Sequence, residues 1–143
     1  MKKVLLTVLL FIFVGTTNYH GAHAFFHNSP KKAETFVTLV VEFSWDGIPP
    51  CDDISPQFKL KNIPTGTKYL DFQMVDDDVP DYNHGGSMIE YKGGEIIPRG
   101  AIDYTGPCPP GGAHSYTWTV TALNDKKNLI LGEGKTTKEF PPN

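Results

Sequence analysis

The run SYTWTVTAL, Ser115 to Leu123, places Tyr116, Trp118, Val120 and Ala122 on one side of an extended chain and Ser115, Thr117, Thr119 and Thr121 on the other. Successive side chains of a strand point to opposite faces, so this two-residue period predicts a β-strand with one face in a core. The same alternation runs through TFVTLVVEFSW (Thr35 to Trp45), where Val37, Leu39, Val41, Phe43 and Trp45 oppose Thr38, Glu42 and Ser44. It recurs in YLDFQMV, with Leu70, Phe72 and Met74 on one face. Shorter strand candidates are QFKLK, SMIEY, NLILG and TTKEF. Beyond residue 24 no apolar pattern holds a 3.6-residue period for three turns, and the 14 glycines and 12 prolines punctuate the chain with turns. Seven short strands separated by turn signals predict an all-β fold with little helix, an antiparallel sandwich or barrel.

Upstream of these strands the chain has another character. Lys2 and Lys3 precede an apolar run from Val4 to Val14, and Ala22-His23-Ala24 forms a small-x-small site. This reads as a signal peptide over residues 1–24, leaving 25–143 as a single domain. The apolar run falls short of the roughly 20 residues a membrane span needs, so no transmembrane segment is expected after cleavage. Export to a periplasm or to the exterior is the expected localisation. Loss of two lysines makes the domain more acidic than the −3 of the whole chain, which argues against a nucleic-acid partner. An oxidising compartment favours pairing of the two cysteines, Cys51 and Cys108, although two buried free thiols fit the sequence equally well.

The period of two, extended backwards from Tyr116, puts His114 on the same face as Trp118, with roughly 7 Å between the His114 and Tyr116 side chains. A histidine and a tyrosine can be ordinary core residues satisfied by backbone groups. Their position argues for more, because they open a strand beside the proline-rich loop GPCPP, at the rim where pockets form. A second cluster, VDDDVPDYNHGG, leads from a strand end through three aspartates to His84 and two glycines. Calcium binding through Asp76, Asp78 and Asp81 would lack the EF-hand's central glycine and closing glutamate. Zinc would lack paired ligand spacing, and no metal or other cofactor is expected. A covalent nucleophile has no recognisable elbow, so an enzyme is not the expected class. An anion pocket remains, built from imidazole and phenol groups, with Asp76 accepting a histidine hydrogen bond or facing a cationic headgroup amine.

These segments resemble the phosphatidylethanolamine-binding protein family, also called Raf kinase inhibitor-like proteins, and in particular its small exported bacterial branch. CDDISPQFKLKNIPTGTKYLDFQMVDDDVP is similar to the family's block ending in D-P-D-A-P, the Asn83-His84 pair falls where the first pocket histidine stands, and YTGPCPPGGAHSYTWTVTAL is similar to Y-x-G-P-x-P-P-x-G-x-H-x-Y-x-[aromatic]-x-V-x-A-L. The resemblance implies a β-sandwich with a larger central sheet and a smaller one. It implies a pocket of Asp76, His84, His114 and Tyr116, with backbone contacts from Gly106 and Cys108, that takes phosphate, acetate or the phosphoryl group of a phospholipid head. The chain departs from the pattern at Asp77, Val79, Lys61 and Gly85, and its end, GKTTKEFPPN, lacks the C-terminal helix of larger members. The function expected is therefore an exported, non-enzymatic binding or modulator protein. The alternative is an interaction module or inhibitor, for instance of a hydrolase or a kinase, that meets a protein partner through loops such as YKGGEIIPRG and keeps a vestigial pocket.

Overall fold

A computed structural model describes residues 29–141, so the expected signal peptide and its cleavage site lie outside the described residues. Eight strands form in chain order: β1 (Lys31–Thr38), β2 (Val40–Phe43), β3 (Phe58–Lys61), β4 (Tyr69–Asp76), β5 (Met88–Glu90), β6 (Ile96–Ile97), β7 (His114–Leu123) and β8 (Leu129–Phe140). They make a five-stranded sheet in the order β1-β8-β7-β4-β5 and a three-stranded sheet in the order β2-β3-β6. No helix occurs among the described residues. The fold is the all-β, two-sheet arrangement that the alternation and the resemblance led us to expect.

Three particulars differ from the sequence reading. First, β1 pairs with β8 in parallel, so the large sheet is not purely antiparallel. Alternation reports which face of a strand is buried and carries nothing about the direction of its neighbour. Second, TFVTLVVEFSW is two strands in different sheets, broken at Leu39, whose N–H donates to the Glu133 carbonyl. Leu39, Val41, Phe43 and Trp45 stay buried while their neighbours stay exposed, so the alternation passes through the switch and conceals it. Third, NLILG and TTKEF belong to the one long strand β8, and the short β6 carries too few residues to show a period.

The inward faces meet in an aromatic core. Phe58, Phe72 and Trp118 are fully buried, with Trp118 edge-on to Phe58 at 5.1 Å between centroids. Phe58 lies 5.0 Å from Phe72, and Trp45 closes one end against Phe140 at 5.4 Å and Tyr116 at 6.1 Å. Such edge-to-face pairs add about 0.5–1.5 kcal/mol each beyond the area they bury. They bring Tyr116, a residue of this core, to the rim of the large sheet.

Candidate functional site

The alternation that builds the core also builds the site. Along β4 the inward positions are Leu70, Phe72 and Met74, and the next is Asp76, a carboxylate only 4% exposed. The antiparallel register sets Asp76 opposite Tyr116 on β7, and His114 stands two residues before Tyr116. One rim of the sheet thus carries a carboxylate, a phenol and an imidazole on its buried face.

His84 arrives by a different route. After β4 the chain turns, with the Asp78 and Val79 N–H groups donating to Asp76 Oδ1 at 2.9 and 3.1 Å. It then runs back along the β4 edge, where the Met74 N–H donates to the Gly85 carbonyl and the Phe72 N–H to the Ser87 carbonyl. Gly86, at φ +143°, fits there because a β-carbon would collide with the Phe72 carbonyl. His84 is thereby pinned between β4 and the 103–107 segment by two bonds to Thr105: the Thr105 N–H donates to the His84 carbonyl while His84 Nδ1–H donates to the Thr105 carbonyl, both at 2.8 Å. Its ring meets Tyr116 edge-on at 5.3 Å and Tyr82 at 4.7 Å.

These four side chains line one cavity of about 420 Å³. Val79, Tyr82, Pro109 and Pro110 form an apolar collar around it, with Cys108 beside the two prolines. The GPCPP loop is held against the segment after Pro50 by the Cys51–Cys108 disulfide, Cα to Cα 4.5 Å, and by the Cys51 N–H donating to the Pro107 carbonyl at 2.9 Å. This resolves the cysteine question in favour of pairing. Of the six residues expected in the pocket, Asp76, His84, His114, Tyr116 and Cys108 come together. Gly106 does not: its N–H donates to Asp53 Oδ1 at 2.9 Å, and it packs so closely on the Asp52 backbone that a β-carbon would overlap the Asp52 carbonyl. Its role is to let two loops touch. Tyr82, Pro109 and Pro110 were missed as lining residues because turn and loop residues carry no periodic signal, though their adjacency to His84 and Cys108 was visible.

Charge in the cavity is organised around Asp76. Burial works against its ionised form, but hydrogen bonds from His114 and from the Asp78 and Val79 amides outweigh burial and hold the carboxyl below its ordinary 3.8. His114 Nδ1–H donates to Asp76 Oδ2 at 2.8 Å, while His84 Nε2 stands 4.0 Å from the same oxygen. The Tyr116 phenol is pushed well above its ordinary 10, first by burial and then by the Asp76 charge. Both Nδ1 tautomers follow from the partners, since a carbonyl and an ionised carboxylate can only accept. Asp76, Asp78 and His114 also bring donor atoms within 4.8 Å of one another, yet Asp78 Oδ2 already accepts the Ser115 N–H at 2.7 Å, and each Asp76 oxygen already has hydrogen-bond donors. Among the described residues no lysine or arginine lines the cavity.

A second hollow of about 410 Å³ lies beside Ser44, Gln57 and Arg99. Several of its polar groups are already engaged elsewhere, Glu42 with Lys61, Asp46 with Ser44 and Arg99 with the Gly47 carbonyl.

Comparison with known proteins places this geometry. Residues 83–141, which carry His84, His114 and Tyr116, match the family model for phosphatidylethanolamine-binding protein. A UPF0098 protein of Methanothermobacter thermautotrophicus is 32% identical over 108 residues, covering 64% of this chain and 65% of that relative's length. The crystal structure of a phosphatidylethanolamine-binding protein homolog from Chlamydia trachomatis superposes with a TM-score of 0.53 at 15% identity, over 74% of this chain and 99% of the other, a likeness of fold. The family-model match over residues 83–141 and the 32% identical relative make this chain similar to phosphatidylethanolamine-binding proteins, and the solved structure shares its two-sheet fold.

Proposed function

We propose that this chain is an exported, non-enzymatic binding or modulator protein whose rim cavity takes a small phosphoryl-type anion or the phosphoryl group of a phospholipid head. The observation that carries the reading is the convergence of Asp76, His84, His114 and Tyr116 on one cavity. Each imidazole has its Nδ1–H committed, His84 to a carbonyl and His114 to Asp76, which leaves Nε2 for a ligand. On a neutral ring that atom is a lone pair, so a phosphoryl oxygen fits only with a proton between them, from an imidazolium or from the ligand's own hydroxyl. With no lysine or arginine in the lining among the described residues, those protons are what compensates an anion. A headgroup amine would find its partner in Asp76.

The test is to follow the His84 and His114 imidazole resonances by NMR during titration with inorganic phosphate and with phosphorylethanolamine. Movement of both rings is expected, and no shift in either at millimolar ligand would overturn the reading. Affinity should fall as pH rises from about 5 to about 8 if an imidazolium faces the anion. Flat affinity across that range would remove histidine charge from recognition.

A further inference from the structure

The cavity wall has an unusual mode of attachment. Between Pro107, whose carbonyl accepts the Cys51 N–H, and His114, where β7 begins, residues 108–113 make no hydrogen bond among the described residues. Pro109 and Pro110 have no N–H to give, and Gly111, Gly112 and Ala113 are exposed. The arch that carries Cys108, Pro109 and Pro110 into the cavity lining is therefore fixed at one internal point, the bond from Cys108 to Cys51. Both of these cysteines are exposed. Cys51 also holds a left-handed backbone, φ 60°, which a residue with a β-carbon keeps only where its surroundings impose it.

We infer that the Cys51–Cys108 disulfide is a redox-sensitive fastening of the cavity wall, so that reduction by a dithiol loosens the 108–113 arch and weakens ligand binding. The inference rests on the proposed function for its ligand. In the chemical step a dithiol thiolate attacks one sulfur of the bridge, the Cys51–Cys108 bond breaks as a mixed disulfide forms, and the second thiol of the reductant displaces the remaining protein sulfur. The protein gains two electrons and two protons, and the reductant leaves as a disulfide. The rest of the site stays in place, because Asp76, His84 and Tyr116 are anchored by β4, by Thr105 and by β7. If the arch is closed about a tenth of the time once reduced, the apparent dissociation constant rises about tenfold. Linkage then requires the converse: saturating ligand makes the disulfide harder to reduce by the same tenfold, or about 30 mV for a two-electron couple.

The experiment compares the full chain in oxidised form, after reduction with dithiothreitol, after reoxidation, and as the C51S/C108S variant. Inorganic phosphate is titrated against the two histidine resonances, and fast backbone motion is read from amide nitrogen order parameters at Gly111, Gly112 and Ala113. A roughly tenfold weaker affinity on reduction and in the variant, restored by reoxidation of the native chain, together with lower order parameters in the arch, is the expected result. Equal affinity within twofold would overturn the inference. So would loss of the far-ultraviolet β signal on reduction, since the disulfide would then be a staple of the whole fold. If the oxidised chain binds no phosphate, the proposed function fails, and the fastening is judged on the arch alone: unchanged order parameters at 111–113 and an unchanged His114 resonance on reduction overturn it, while changes confined to them support it.

Discussion

Asp76→Asn removes one charge and almost no volume from the point where the site's hydrogen bonds meet. Three donors reach this carboxylate in defined geometry, His114 Nδ1 at 2.8 Å and the Asp78 and Val79 amides at 2.9 and 3.1 Å. Hydrogen bonds to a charged group contribute about 1.5–3 kcal/mol and neutral ones about 0.5–1.5, so three donors lose about 3 kcal/mol together. Relief of the buried charge returns about 1 kcal/mol of this, leaving a net destabilisation of about 2 kcal/mol at neutral pH. The pH dependence gives the reasoning its sharpest form. The folded-state pKa of Asp76 lies below its ordinary 3.8, so its contribution is fully present above that value and is lost as pH falls through the depressed one. The gap between wild type and Asp76→Asn should therefore be widest at neutral pH and should narrow progressively as pH falls below 3.8 and through the depressed value. Urea unfolding of both proteins at matched pH values measures it, because titration of the other carboxylates is common to the two and cancels. A gap that stays constant on acidification, or an asparagine variant as stable as wild type at neutral pH, would refute this account of Asp76.

Other consequences are open to measurement. Gly106→Ala should destabilise the chain by about 1–3 kcal/mol, seen as a lower urea midpoint with an unchanged slope, because the new methyl group meets the Asp52 backbone with no space to move into. Tyr116→Phe keeps the contacts with Trp45 and His84 and should cost about 1 kcal/mol or less, while weakening phosphate binding several-fold in calorimetry. Burial foremost raises Tyr104 and Tyr116 well above the ordinary 10, so both should remain protonated at about pH 11 by absorbance in the folded chain. Unfolded tyrosines ionise at about 10, so stability should fall as pH rises beyond that value.

Much of this site was legible because one rule, the alternation of side chains, acts on core and site alike. It placed Tyr116 with Trp118 and extended to His114 without any knowledge of a pocket. The same rule, carried one step past Met74, puts Asp76 inside. His84 was marked by composition, a histidine before two glycines, but its path back along β4 depends on backbone bonds to Gly85 and Ser87 that leave no periodic trace. For Gly106 the family resemblance implies a ligand contact, whereas the close approach of Asp52, a residue more than fifty positions away, determines what it does. The parallel β1–β8 pair was hidden for a related reason. Strand direction is set by how the chain returns, and that is a property of connections between segments.

The sheet order has a consequence for synthesis. Strand β8, the last in the described chain, lies inside the large sheet between β1 and β7 and is bonded to both. Until β8 has been made, β1 has no neighbour in its sheet, and β7 can pair only on its β4 side. A chain truncated before Leu129 should accordingly remain sensitive to protease across its first strand, and protection there should appear once Leu129–Phe140 is included.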